Sequence, residues 1–207
     1  MWIKVCGMTT DEAVEAAVKA GVDAIGFVFA ESKRRVTPRR AQELAESVRG
    51  RVLCVAVARH PRQSEVDEIL SMFRPDALQT DAEDFAELRL PAALQILPVV
   101  RVGGAEPNPL PMRLLFEGPV SGTGVPADWI AARKLAARVE LILAGGLSPD
   151  NVAAAIAEVR PFGVDVSSGV ESAPGLKSPD KILSFVKSAR AAFRSLEPTE
   201  RAKENPS

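Results

Sequence analysis

WIKVCGMT, residues 2–9, reads as a short buried strand that ends on a cysteine and turns at once. Alternate side chains of a strand face opposite ways, so Ile3 and Val5 face one side while Lys4 and Cys6 face the other. A thiol on the inner side of a strand's C-terminal end, followed by Gly7, stands where closed parallel barrels keep their chemistry. An isolated cysteine reads first as a small buried hydrophobe, so the rest of the chain has to supply the reason for a chemical role.

Working outward, Thr9 or Thr10 caps a helix whose first turn carries Asp11 and Glu12. Ala13, Val14, Ala17 and Val18 give that helix one buried face, and Gly21 closes it. DAIGFVF, residues 23–29, is nearly all apolar, the mark of a strand covered on both sides in a parallel sheet. One βαβ unit is complete within about thirty residues.

The alternation continues with a basic loop, ESKRRVTP, a helix at 38–48 started by proline, and an apolar strand at 51–58. A helix at 63–73, a short strand at 76–79, an amphipathic helix at 83–89 and a strand at 95–102 follow. GGAEPNPLP, residues 103–111, is too rich in glycine and proline for a regular helix, so the fifth strand reaches the sixth through a loop alone. Then come a strand at 112–117, a helix at 128–138, a strand at 139–144, a proline-started helix to residue 159, a strand at 163–167 and a last helix at 179–193. The count is eight strands and about seven helices, with a polar, frayed tail at 196–207. Alternating elements allow a closed barrel or an open doubly wound sheet. The G-x-G-x-x-G fingerprint of the open form is absent after the first strand, so the expected architecture is a single α/β domain, a (β/α)8 TIM barrel over residues 1–195.

At 207 residues the chain suits one such domain. A net charge of -1, from 26 basic and 27 acidic residues, gives no electrostatic reason to expect nucleic acid or an anionic membrane as partner. The apolar runs stop well short of the ~20 residues of a membrane-spanning helix, and the N-terminus lacks the pattern of a secretory signal, so a cytoplasmic protein is expected. Cys6, Cys54 and the single histidine, His60, make neither a disulfide framework nor a zinc pattern, and no metal is expected. Cys54, in mid-strand, reads as core packing; His60, before Pro61 in a basic loop, reads as a surface residue. The chemistry has to proceed without a catalytic histidine.

Glycines after strands seven and eight point to the ligand. In many barrels these two loops hold a phosphate, and Gly145 and Gly146, with Ser167, Ser168 and Gly169, let backbone N–H groups approach an anion. Asp165 shares the inward parity of Ser167. Its partner is either Lys4 on the adjacent first strand or a substrate hydroxyl.

KVCGMT at 4–9, GVDAIGFVF at 21–29, SGTG with DW at 121–129, LAGGLSPDNV at 143–152 and GVDVSSGVESAPGLK at 163–177 together resemble phosphoribosylanthranilate isomerase, a family of the tryptophan pathway. The resemblance spans almost the whole chain. It implies a phosphate-binding barrel that catalyses an Amadori rearrangement of a phosphorylated small-molecule substrate, as a monomer or homodimer and without metal or organic cofactor. It also implies Cys6 as general base, which requires its thiolate, and Lys4 on the same face is placed to help. The family's acid, an aspartate ending the sixth strand, falls on Glu117, with Asp128 as a rival that also suits the cap of the next helix. Arg34 matches the arginine expected to meet the anthranilate carboxylate, although the proline of that segment is lost, and the family's QLHG reads Gln79, Thr80, Asp81, Ala82. A histidine-pathway sugar isomerase on a related barrel would do similar chemistry, but the first half shows no matching glycine-rich site. A non-catalytic phosphometabolite-binding barrel would have no use for Cys6 together with Glu117.

Overall fold

The computed structural model describes residues 1–118 and 128–196. The 197–207 part of the expected tail and the SGTG segment of the resemblance lie outside these residues.

Eight parallel strands close into a barrel in chain order: β1 Trp2–Cys6, β2 Ala24–Val28, β3 Leu53–Val57, β4 Ala77–Asp81, β5 Gln95–Arg101, β6 Arg113–Glu117, β7 Glu140–Leu143 and β8 Gly163–Val166. β1 pairs with both β2 and β8, which completes the ring. The helices are α1 Asp11–Ala20, α2 Pro38–Ala45, α3 Gln63–Met72, α4 Trp129–Ala136, α5 Val152–Val159 and α6 Pro179–Leu196. The expected cap of α1 forms, with the Thr10 hydroxyl accepting from the Ala13 N–H and Gly21 closing the helix in the left-handed region.

Strand parity divides the core in two. Ile3, Val5, Ile25, Phe27, Cys54, Leu78, Leu114, Leu141 and Val164 face outward into a large cluster with the buried faces of the helices. Ala24, Val55, Ala77, Leu97, Val99, Leu115 and Ile142 fill the barrel itself. Cys54 is therefore a core residue, as its mid-strand position suggested.

Three connections differ from expectation. The amphipathic helix at 83–89 is instead a short 3-10 turn, Ala82–Ala86. The Asp84 carboxylate accepts from the His60 N–H and from the Thr80 hydroxyl. These tertiary bonds fix the first turn, and Pro91 follows too soon for a helix to propagate. Six α-helices are thus present among the described residues, not seven. Secondly, α5 starts at Val152 and not at Pro149, because the Asn151 side chain accepts from Ser148 N–H and donates to the Gly146 carbonyl, which makes a turn of residues 146–151. Thirdly, the stretch read as a plain loop after β8 holds a 3-10 turn, Ser168–Val170, and a small antiparallel pair, β9 Glu171–Ala173 with β10 Leu176–Lys177. The Pro174-Gly175 dipeptide, with Gly175 at φ 86, is the turn signal for this hairpin.

Candidate active site

The same parity that fills the barrel carries side chains to its C-terminal mouth. Cys6, Arg101 and Glu117 end β1, β5 and β6 on inward positions, Gln79 faces inward from the middle of β4, and all four line one cavity of about 690 Å3. Arg34, Asp165, Ser167, Ser168 and Glu171 line it as well. The sequence-expected thiol, carboxylate, arginine and aspartate are therefore brought together at one mouth.

Space for the thiol comes from the neighbouring strand. Gly26 stands opposite Cys6 in the β1–β2 register, and a Cβ there would meet Cys6 Sγ at 2.8 Å and Lys4 Cε at 3.1 Å. Below Cys6, Lys4 is fully buried, and its Nζ lies 2.9 Å from Asp165 Oδ1 on the register-paired strand β8. Burial opposes the lysine's charge, but Asp165 outweighs it and Lys4 holds its proton above the ordinary range. The first alternative for Asp165 is thus realised, and Asp165 also remains part of the cavity wall. Burial pushes the Cys6 thiol up, and the charge of Asp165 adds to this; Lys4 and Lys177 pull it down without outweighing the burial.

Glu117 and Arg101 are opposite each other in the β5–β6 register. Arg101 Nη2 reaches Glu117 Oε1 at 3.1 Å, and its Nη1 pairs with Asp81 Oδ1. Asp81 and Arg101 were not read as site residues from sequence. The available signal was parity, since each continues its strand's inward series, Ala77–Gln79–Asp81 and Leu97–Val99–Arg101. Gln79 is buried, and its Oε1 has no hydrogen-bond partner among the described residues.

Arg34 is engaged by the protein. Its Nε and Nη2 donate to the two oxygens of Glu171, at 2.7 and 3.0 Å. Glu171 also accepts from Lys177 Nζ at 2.8 Å and from the Gly175 N–H at 3.2 Å. Although burial alone would raise it, these donors bring the Glu171 carboxyl down to about 2. Glu171 went unread as a site residue because Arg34 lies 137 residues away, and Lys177 because the hairpin that folds it back onto Glu171 was read as a plain loop. Lys177 Nζ in turn reaches the Ser167 carbonyl at 3.0 Å, and the Ser167 hydroxyl donates to the Cys6 carbonyl at 3.0 Å.

The two phosphate-candidate loops touch. A Cβ on Gly169 would collide with the Leu147 carbonyl, so only glycine lets the turn after β8 lie against the turn after β7. Gly145 and Gly146 take φ of 88 and 66 there. Ser167 and Ser168 reach the cavity lining, while Gly145, Gly146 and Gly169 shape the backbone beside it. Asp128 is exposed and accepts from the N–H groups of Ile130 and Ala131, which makes it the cap of α4.

A closed parallel barrel with a thiol, a carboxylate and basic groups converging at the C-terminal mouth has the form of a barrel enzyme with its site at that mouth. Comparison with known proteins narrows the class. The family model described as N-(5'phosphoribosyl)anthranilate (PRA) isomerase matches residues 3–188. The chain is 42% identical over 187 residues to the N-(5'-phosphoribosyl)anthranilate isomerase of Streptococcus pneumoniae (strain Hungary19A-6), covering 89% of this chain and 93% of that one. To the protein of the same name from Rhizobium etli (strain CIAT 652) it is 38% identical over 209 residues, covering 92% and 94%. The crystal structure of phosphoribosyl anthranilate isomerase from Thermus thermophilus superposes with a TM-score of 0.80 at 30% identity, covering 92% of this chain and 99% of that chain. A structure of the isomerase in complex with reduced 1-(o-carboxyphenylamino)-1-deoxyribulose 5-phosphate superposes with a TM-score of 0.75 at 29% identity, over 92% and 99%. The chain belongs to the phosphoribosylanthranilate isomerase family.

Proposed function

We propose that this chain converts N-(5-phosphoribosyl)anthranilate into 1-(2-carboxyphenylamino)-1-deoxyribulose 5-phosphate in tryptophan biosynthesis, with Glu117 as general acid and Cys6 as general base. The observation that carries the assignment of roles is that Cys6 and Glu117 open into one cavity from inward strand-end positions. Glu117 gives a proton to the ribose ring oxygen as the bond from that oxygen to C1 breaks and the anthranilate nitrogen forms a Schiff base. Cys6 takes the proton from C2, and the resulting enolamine tautomerises to the ketone. The rearrangement is internal, so no electron acceptor is required.

Substrate would be held at both ends. The phosphate lies between Gly145–Gly146 and Ser167–Gly169, contacted by backbone N–H groups, with Lys177 behind Ser167 as a buried positive charge. Arg34, fixed by Glu171, faces the anthranilate carboxylate; Asp165 meets a ribose hydroxyl; and Gln79 offers its unpartnered amide oxygen as a further contact. Function as a monomer or homodimer in the cytoplasm accords with this reading, and no helix among the described residues is long and apolar enough to cross a membrane.

Glu117 lies 3.1 Å from the Arg101 guanidinium, and substitution tests its role as acid. Glu117→Gln is expected to lose about 10²–10⁴-fold in kcat, because the amide keeps the shape but delivers no proton. Glu117→Asp should lose less, and Asp128→Asn should stay near wild type because asparagine caps helices well. An active Glu117→Gln beside a dead Asp128→Asn would transfer the acid's role to Asp128.

A further inference from the structure

His60, Asp81 and Glu83 lie at the rim of the barrel mouth, outside the cavity that holds Cys6 and Glu117. One ligand atom from each comes within 4.8 Å of the others. The exposed His60 ring is nevertheless held in place. Its Nδ1 lies 2.9 Å from Asp84 Oδ1, and its backbone N–H donates to Asp84 Oδ2 at 3.1 Å. Asp84 itself is fixed by the Thr80 hydroxyl.

The other ring nitrogen of His60 faces a buried carboxylate. Nε2 is 3.2 Å from Asp81 Oδ2, in a side chain only 1% exposed. Yet Oδ2 receives no hydrogen bond among the described residues, so the two atoms are close without being aligned as donor and acceptor. Asp81 Oδ1 is turned the other way, onto Arg101. Adjacent ligands of one cation show this geometry: with metal–ligand distances of about 2.0–2.2 Å, the edge of a tetrahedral site is about 3.4 Å, and neither ligand points at the other.

We propose that His60 Nε2, Asp81 Oδ2 and the Glu83 carboxylate form a site for a divalent first-row transition ion such as Zn2+ or Co2+, with Asp84 as the carboxylate that orients the histidine. One imidazole and two carboxylates suit these borderline ions better than Mg2+ or Ca2+, which favour all-oxygen sets. The site joins the β3–α3 loop to the end of β4 and contains none of the groups that act on substrate, so it stands or falls separately from the isomerase reading. Its donor set of two carboxylates and one histidine has no cysteine–histidine spacing to mark it in the sequence.

The test is titration of chelator-treated, full-length protein with Co2+ and Zn2+, followed by calorimetry and by the visible absorption of Co2+. One ion per chain is expected, bound about 10–100-fold more weakly by Asp84→Asn, the variant of the orienting carboxylate. His60→Asn and Glu83→Gln, at exposed positions, should weaken binding as well while the circular dichroism spectrum stays unchanged. Three results would overturn the site: no binding at millimolar Co2+, equal binding by folded His60→Asn, or a thiolate-to-cobalt band that places the ion on Cys6.

Discussion

Burial pushes the Cys6 thiol above its usual range, with Lys4 and Lys177 only partly offsetting the loss of water. A base has to be deprotonated to act, so a raised value means that activity increases as pH rises toward it. With the acid removed in Glu117→Gln, residual kcat/KM reports the base of the free enzyme alone, and it is expected to climb with unit slope from neutral pH to beyond pH ~8.5, the ordinary thiol value. A plateau already reached below pH 7 would assign the base to another group. Cys6 was legible as a thiol ending a strand on its inward face, and Glu117 through the resemblance, whose acid falls at the end of the sixth strand. Arg101 and Asp81 went unread because a charge at a strand end looks the same whether it meets solvent or a partner 20 residues away.

At the scale of elements, the β9–β10 hairpin is fastened by Glu171, which binds Arg34 from the loop after β2 and Lys177 from its own second strand. Its carboxyl, held at about 2 in the folded chain against an ordinary value of 4.5, contributes stability that is present above about pH 4.5. That contribution fades as pH falls toward 2. Glu171→Gln leaves the buried Lys177 without its counter-charge, so a loss of about 3 kcal/mol is expected in urea unfolding at pH 7, shrinking as the pH approaches 2. A difference that stays constant over that range would show that packing, not charge, accounts for it. Gly169→Ala should separate the two phosphate-loop turns and raise KM more than it lowers kcat, as steady-state kinetics would reveal. Such connections were the least legible part of the chain. The 83–89 segment has a helix-like pattern, but the bonds from Asp84 to Thr80 and His60 are tertiary and override it. The Arg34–Glu171 pair spans 137 residues of sequence and leaves no local trace.

For the whole molecule, the strands were readable because a parallel barrel buries both faces of each, which leaves uninterrupted apolar runs such as DAIGFVF and RVLCVAVA. The ring closes where β1 meets β8, and Lys4 and Asp165 face each other across that seam. Lys4→Met should cost about 3–5 kcal/mol by leaving Asp165 buried and unpaired, while Lys4→Met/Asp165→Leu should regain most of it, as denaturant curves would measure. If Asp165 also meets substrate, the double variant will be stable but slow. Consumption of phosphoribosylanthranilate at the barrel mouth through Cys6 is the most direct test. Fluorescence should record disappearance of freshly made substrate with the wild-type chain, and a rate at least about 10²-fold lower with Cys6→Ser of unchanged circular dichroism. No consumption above background by folded wild-type protein, or a Cys6→Ser variant as fast as wild type, would contradict it.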